Sequence, residues 1–153
     1  MKKNLIVLQD GWKECGAASL LSIIHYYKGS ISMPRLVELT NTNKDGTNFY
    51  QLKQASEKLG FSTKGYKVNN YDSLQEIKNP FIIQIIDKNY EHFCVVYAMK
   101  KNKVIVMDPA IGQREIIAED FMKLWTGYIL IPKPMRKIEN YQEEKYLNTI
   151  IKE

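Results

Sequence analysis

The feature that most limits what this chain can fold into is a change of hydrophobic period part-way along it. Up to Gly60 the apolar residues recur at helical spacing, and from Pro80 onward they come in runs of strand length. In the first part, Ala18, Leu21 and Ile24, with neighbouring Ala17, Leu20 and Ile23, form a broad stripe that follows Cys15 and closes at Lys28-Gly29. Ser32 reads as the N-cap of a short helix with Pro34 in its first turn, ending at Leu39. Phe49, Leu52, Ala55 and Leu59 share a face of a third helix, which Gly60 closes. In the second part, "FIIQII" (Phe81 to Ile86) is almost wholly apolar and suits a buried strand. "HFCVVYAM" and "KVIVMD" flank a Lys-Lys-Asn-Lys turn and read as an antiparallel hairpin. "QREII" and "GYILI" supply further strands around a short helix near Phe121 to Leu124. Helices first and strands later predict an α+β domain, its helices packed on one side of an antiparallel sheet.

A chain of 153 residues, 44% hydrophobic and 25% charged, has the composition of one ordinary globular domain. Its net charge is +5, but the lysines are scattered and the densest groups fall in a turn and near the C-terminal tail. No basic stripe interleaved with aromatics is present, so a nucleic-acid partner is not expected. Two cysteines do not make a disulfide framework. The N-terminal apolar run is too short for a signal peptide, and no stretch approaches the length of a membrane-spanning helix. The expectation is a soluble, cytosolic domain with reduced thiols. After Pro132 the sequence turns mostly charged, while Tyr141, Leu147, Ile150 and Ile151 keep near-helical spacing. The predicted division is a domain over 1–132 and a linker with an amphipathic segment over 133–153.

Few residues can carry chemistry, which narrows the search. Cys15 opens the first helix, where unpaired N–H groups and the helix dipole favour an anion and therefore a reactive thiolate. Alone it reads more readily as a small, inert, buried hydrophobe, and His92, Asp108 and Gln9 are what shift that reading. His92, one of two histidines, opens an apolar strand, and Asp108 ends the next strand of the same hairpin. Chain reversal between them sets the start of one beside the end of the other. A carboxylate there can accept the imidazole N–H, fix its tautomer and stabilise the imidazolium. Gln9, upstream of Cys15, offers an amide donor for a developing oxyanion. Cys94 shares a strand face with His92 and reads as core, and His25 reads as structural.

These pieces together resemble the N-terminal peptidase domain of bacteriocin- and peptide-exporting ABC transporters, a papain-like cysteine protease. The resemblance rests on "LQDGWKECGAASLLSIIHYYKG", "DGTNFYQLKQASEKLGF", "NPFIIQI", "EHFCVVY", "VMDPAIG" and "FMKLWTGYILIP", which run in order from Leu8 to Pro132. It implies a papain-like α+β fold with Cys15 as nucleophile, His92 as general base and acid, Asp108 as the group orienting His92, and Gln9 as oxyanion donor. It further implies cleavage of a leader peptide after a double-glycine pair, coupled to export. The implied partners are a precursor with a helical Gly-Gly leader and the transporter's membrane and nucleotide-binding domains, on the cytoplasmic side of the plasma membrane. No cofactor is implied for this domain, and ATP is expected only in the separate nucleotide-binding domain. The substrate-binding residues are not assigned by the motifs. Glu14 stands where the family usually has aspartate, "YYKGS" carries one residue more than the usual "YYG", and Cys94 replaces an aliphatic residue.

Rival readings remain. Cys15, His92, Cys94 and Asp108 are metal-ligand types, but no Cys-x-x-Cys or His-x-x-x-His pair is present and no metal is expected. A non-catalytic module that only docks the leader is the alternative, and the presence of Cys15, His92 and Asp108 favours an enzyme. A related acyl transfer, such as deamidation, would use the same residues.

Overall fold

A computed structural model of the protein describes residues 1–141. Three helices come first: α1 (Cys15–Tyr26), α2 (Met33–Leu39) and α3 (Phe49–Lys58). β1 (Phe61–Lys67) and the short α4 (Tyr71–Gln75) follow, then β2 (Phe81–Asp87), β3 (Tyr90–Met99), β4 (Lys103–Asp108) and β5 (Gly112–Ile117). The helix α5 (Ala118–Leu124) leads into the last strand, β6 (Trp125–Pro134). The strands form one six-stranded sheet in the order β1-β6-β2-β3-β4-β5, and every pairing is antiparallel.

Local sequence chemistry sets the helix ends. Ser32 accepts from the Arg35 N–H at the start of α2, where Pro34 fits the first turn, and Asn48 accepts from the Gln51 N–H to cap α3. α1 is buried from Cys15 through Ile24, so it is a central helix with apolar residues on all sides. Its polar Ser22 is satisfied by the Leu5 carbonyl and the Tyr97 hydroxyl.

Alternation along the strands divides the interior in two. Ile82, Phe93, Val95, Met107 and Leu130 pack with α1, α2 and α3. Phe81, Ile83, Ile85, Cys94, Val96, Val104 and Val106 face the other way and pack with Leu74 of α4 and Phe121 of α5. The expected helices on one side are therefore present, and two short helices cover the opposite face as well. The sequence reading also passes over β1 and α4. β1 is an edge strand exposed over most of its length, so it carries no apolar signature, and α4 is a single turn and a half.

The chain stays packed on the fold beyond Pro132. β6 pairs with β1 through Pro134, Ile138 is 2% exposed in the helical core, and the Tyr141 N–H donates to the Ser30 carbonyl. The amphipathic segment expected further on lies outside the described residues. Among the described residues no helix is long and apolar enough to cross a membrane.

Candidate active site

The thiol of Cys15 is placed by a loop that folds tightly onto the helix it precedes. A 3-10 turn over Trp12–Glu14 runs directly into α1, and the Glu14 carboxylate accepts from the Asp10 N–H at 3.1 Å. That bond braces the stretch between Gln9 and Cys15, which gives the longer carboxylate at position 14 a structural use. Cys15 is 6% exposed and lines a cavity of 60 Å³ with Trp12, Gly46, Thr47, Glu91 and Phe93 among its walls. Glu91 and Phe93 are the two neighbours of His92. Gly46 has φ +87°, a conformation that excludes most other residues.

His92 and Asp108 meet as the hairpin predicts. β3 and β4 pair with Val95 opposite Met107, so His92, near the start of one strand, lies beside Asp108 at the end of the next. The imidazole Nε2–H donates to Asp108 Oδ1, with both residues at most 5% exposed. Oδ1 also accepts from the Ala110 N–H at 2.9 Å, and Oδ2 accepts from Arg114 Nη1 at 3.2 Å. Burial would raise the carboxyl's pKa, but the donors His92, Ala110 N–H and Arg114 outweigh it and hold the group below the usual value. Burial likewise acts against a charged imidazole. Contacts with Asp108, and then with the Cys15 and Cys94 thiols, overcome it and push His92 up to about 12. At neutral pH the pair is imidazolium and carboxylate.

With Nε2 committed to Asp108, Nδ1 is the ring nitrogen left for a thiol. It is buried and makes no hydrogen bond of ordinary distance and angle among the described residues, so the sulfur contacts that favour the imidazolium are loose ones. Loose contacts are common at such sites before substrate arrives. The Gln9 N–H donates to the Pro109 carbonyl at 2.9 Å, which ties Gln9 to the residue after Asp108, while its side-chain Oε1 is buried with no hydrogen-bond partner among the described residues. His25 stands apart from these residues in its bonding: Nδ1 donates to the Asn4 carbonyl at 2.6 Å and pins the N-terminal segment to α1.

The two thiols differ in setting. Cys94 is fully buried on the sheet face opposite α1, and burial pushes its thiol up to about 11. Cys15 instead borders a cavity at a helix N-terminus. Donor atoms of His92, Cys94 and Asp108 do lie within 4.8 Å of one another. The fit to a cation is poor, because Asp108 is already bonded to His92, Ala110 and Arg114, and the proton on Cys94 competes at neutral pH. Sequence reasoning does not reach Arg114. Its partnership with Asp108 exists only through β4–β5 pairing, where it sits opposite Val106.

A helical layer led by a cysteine, packed on an antiparallel sheet that carries a buried His–Asp pair, defines a papain-like peptidase fold. The chain belongs to the Peptidase C39 family, which it matches over residues 3–137. It is 39% identical over 137 residues to the lactococcin-G-processing and transport ATP-binding protein LagD of Lactococcus lactis subsp. lactis, covering 88% of this chain and 19% of LagD. Among solved structures, the peptidase domain of Streptococcus ComA, a bifunctional ABC transporter, superposes with a TM-score of 0.78 at 32% identity, over 84% of this chain and 96% of that one. A double-glycine-motif protease from an AMS/PCAT transporter, solved in complex with the leader peptide, gives 0.78 at 31% identity over 84% and 90%. This chain spans about a fifth of the length of LagD and of the mesentericin-Y105 transporter MesD.

Proposed function

We propose that this domain is a cysteine endopeptidase that removes the leader from a peptide precursor by cutting after a Gly-Gly pair. The observation that carries the reading is the buried His92–Asp108 hydrogen bond, with the Cys15 thiol at the start of α1 among the groups that favour the charged imidazole. In this mechanism the imidazolium and the Cys15 thiolate form an ion pair across Nδ1, and the thiolate attacks the carbonyl carbon of the second glycine. The Gln9 amide donates to the oxyanion as it forms. His92 then gives its proton to the departing amine, and water, deprotonated by His92, frees the leader from the sulfur. Asp108 keeps the ring in the tautomer and orientation that both transfers need.

The cavity beside Cys15 supports the substrate choice. It is small, at 60 Å³, and glycines, which lack Cβ atoms, suit a narrow space. The similarity to a transporter that processes lactococcin G and to a double-glycine-motif protease points the same way. On this reading the partners are a precursor with a helical leader and the membrane and nucleotide-binding domains of an exporter. The domain works on the cytoplasmic side, and ATP is used elsewhere in that assembly.

The test is incubation of the protein with a peptide carrying a leader that ends in Gly-Gly, followed by mass spectrometry. A single cut after the second glycine is expected. Binding without a cut would mark the domain as a docking module, and conversion of a glutamine side chain would mark it as a different acyl transferase.

A further inference from the structure

Asp108 is the charge on which His92 depends, yet it is buried at 3% exposure and belongs to a strand end that turns immediately into Pro109. A second charged group secures it from behind. Arg114 of β5 donates through Nη1 to Asp108 Oδ2 at 3.2 Å and through Nη2 to Asp87 Oδ2, at the end of β2, at 3.4 Å. The guanidinium thus joins three strands at the end of the sheet where His92 sits. It borders a cavity of 350 Å³ that also reaches His92, Asp108, Tyr90 and Lys88. The planar fork suits this bridging, because one guanidinium presents two donors in fixed directions.

Given the peptidase reading, we infer that Arg114 is a positioning residue for the reaction: it fixes the Asp108 carboxylate in its charged form and in the plane that orients His92, with Asp87 fixing Arg114 in turn. Two features separate this from a surface ion pair. The Asp108 end of the bridge is buried, and the oxygen that Arg114 holds is the one His92 leaves free. A positive charge on Oδ2 also moderates the pull of the carboxylate on the imidazole proton. That proton must leave His92 for the departing amine, so moderation serves the second half of the reaction.

The charged and titratable groups around the pair are Cys15 of α1, Tyr90 and Cys94 of β3, Asp87 of β2, Lys88 of the β2–β3 turn and Arg114 of β5. Removal of Arg114 takes away the cation on Asp108 Oδ2 and leaves the carboxylate only the imidazolium on Oδ1. The carboxyl then protonates at higher pH, and the imidazolium loses its anchor earlier in acid.

The test compares Arg114→Gln, Arg114→Lys and Asp87→Asn with the unsubstituted protein in two assays. One is steady-state cleavage of a Gly-Gly leader peptide, with rates referred to titrated Cys15. The other is the pH dependence of Cys15 alkylation by iodoacetamide, followed by mass spectrometry of the Cys15 peptide. Alkylation needs no substrate, so it reads the Cys15–His92–Asp108 state even if Gly-Gly cleavage is absent. Arg114→Gln is expected to lower kcat about tenfold with little change in KM, and to move the acid limb of alkylation to higher pH. Arg114→Lys restores most of both, and Asp87→Asn falls between. A folded Arg114→Gln protein with unchanged kcat and alkylation profile overturns the inference. So does a loss of activity that disappears once rates are referred to titrated Cys15, since that marks a role in folding alone.

Discussion

His92 gathers opposed electrostatic effects into one side chain. Burial disfavours its charge, and the Asp108 carboxylate with two neighbouring thiols restores it. Its folded pKa lies above the ordinary value of 6.5, so its contribution to stability is complete below 6.5 and fades as pH climbs toward the folded value. Asp108 has the opposite sense: its contribution is present above 3.8 and is lost as pH falls through its lowered folded value. Urea unfolding of the native protein and His92→Gln should show a stability gap that is flat between pH 5 and 6 and narrows steadily from pH 7 to 9 (about one proton's worth of linkage). A gap that widens over that range would contradict the imidazolium–carboxylate assignment. Cys15, His92, Asp108 and Gln9 were accessible to sequence reasoning because each sits at a chain signal: a helix start, two strand ends and a loop. Cys94 reads as core, and strand alternation already puts it on the face of β3 that His92 occupies. Arg114 is hidden from such a reading, because it meets Asp108 through the pairing of β5 with β4, which periodicity does not encode.

At the scale of elements, α1 and the β2–β3–β4 strands carry the site between them, and Gly16 sets how closely they approach. A Cβ there would meet Thr47 Cγ2 at 2.4 Å and Phe93 Cδ2 at 3.3 Å. Thr47 cannot rotate aside freely, since its hydroxyl donates to the Thr40 carbonyl at 2.6 Å. Alanine is the better helix former by about 1 kcal/mol, but the overpacking costs about 1–3 kcal/mol and displaces the residue next to His92. Gly16→Ala is therefore expected to lower Tm by several degrees and to reduce kcat, as thermal unfolding and peptide cleavage will measure. An increase in Tm would show that helix propensity wins. The long elements were legible in the sequence because α1, α3 and the central strands each repeat one apolar period over enough residues. β1 and α4 were not, since an exposed edge strand and a one-and-a-half-turn helix owe their form to neighbours and not to their own pattern.

At the scale of the whole molecule, the sheet has a helix-packed core on each face, and the proposed chemistry lies at one end of it. The net charge of +5 is spread over the surface and would draw in an acidic leader. Cleavage of such a leader should weaken in kcat/KM as salt rises from about 0.05 to 0.5 M, where screening falls from roughly 14 to 4 Å in range. An unchanged kcat/KM would leave apolar contacts as the main grip. The central claim is that Cys15 supplies the nucleophile, although Cys94 is the thiol that clusters most tightly with His92 and Asp108. Cleavage of a Gly-Gly precursor by Cys15→Ala and Cys94→Ala proteins, measured side by side, tests it most directly. The account predicts no cut from Cys15→Ala and a retained cut after the second glycine from Cys94→Ala; cleavage that persists in Cys15→Ala and vanishes in a folded Cys94→Ala would contradict it.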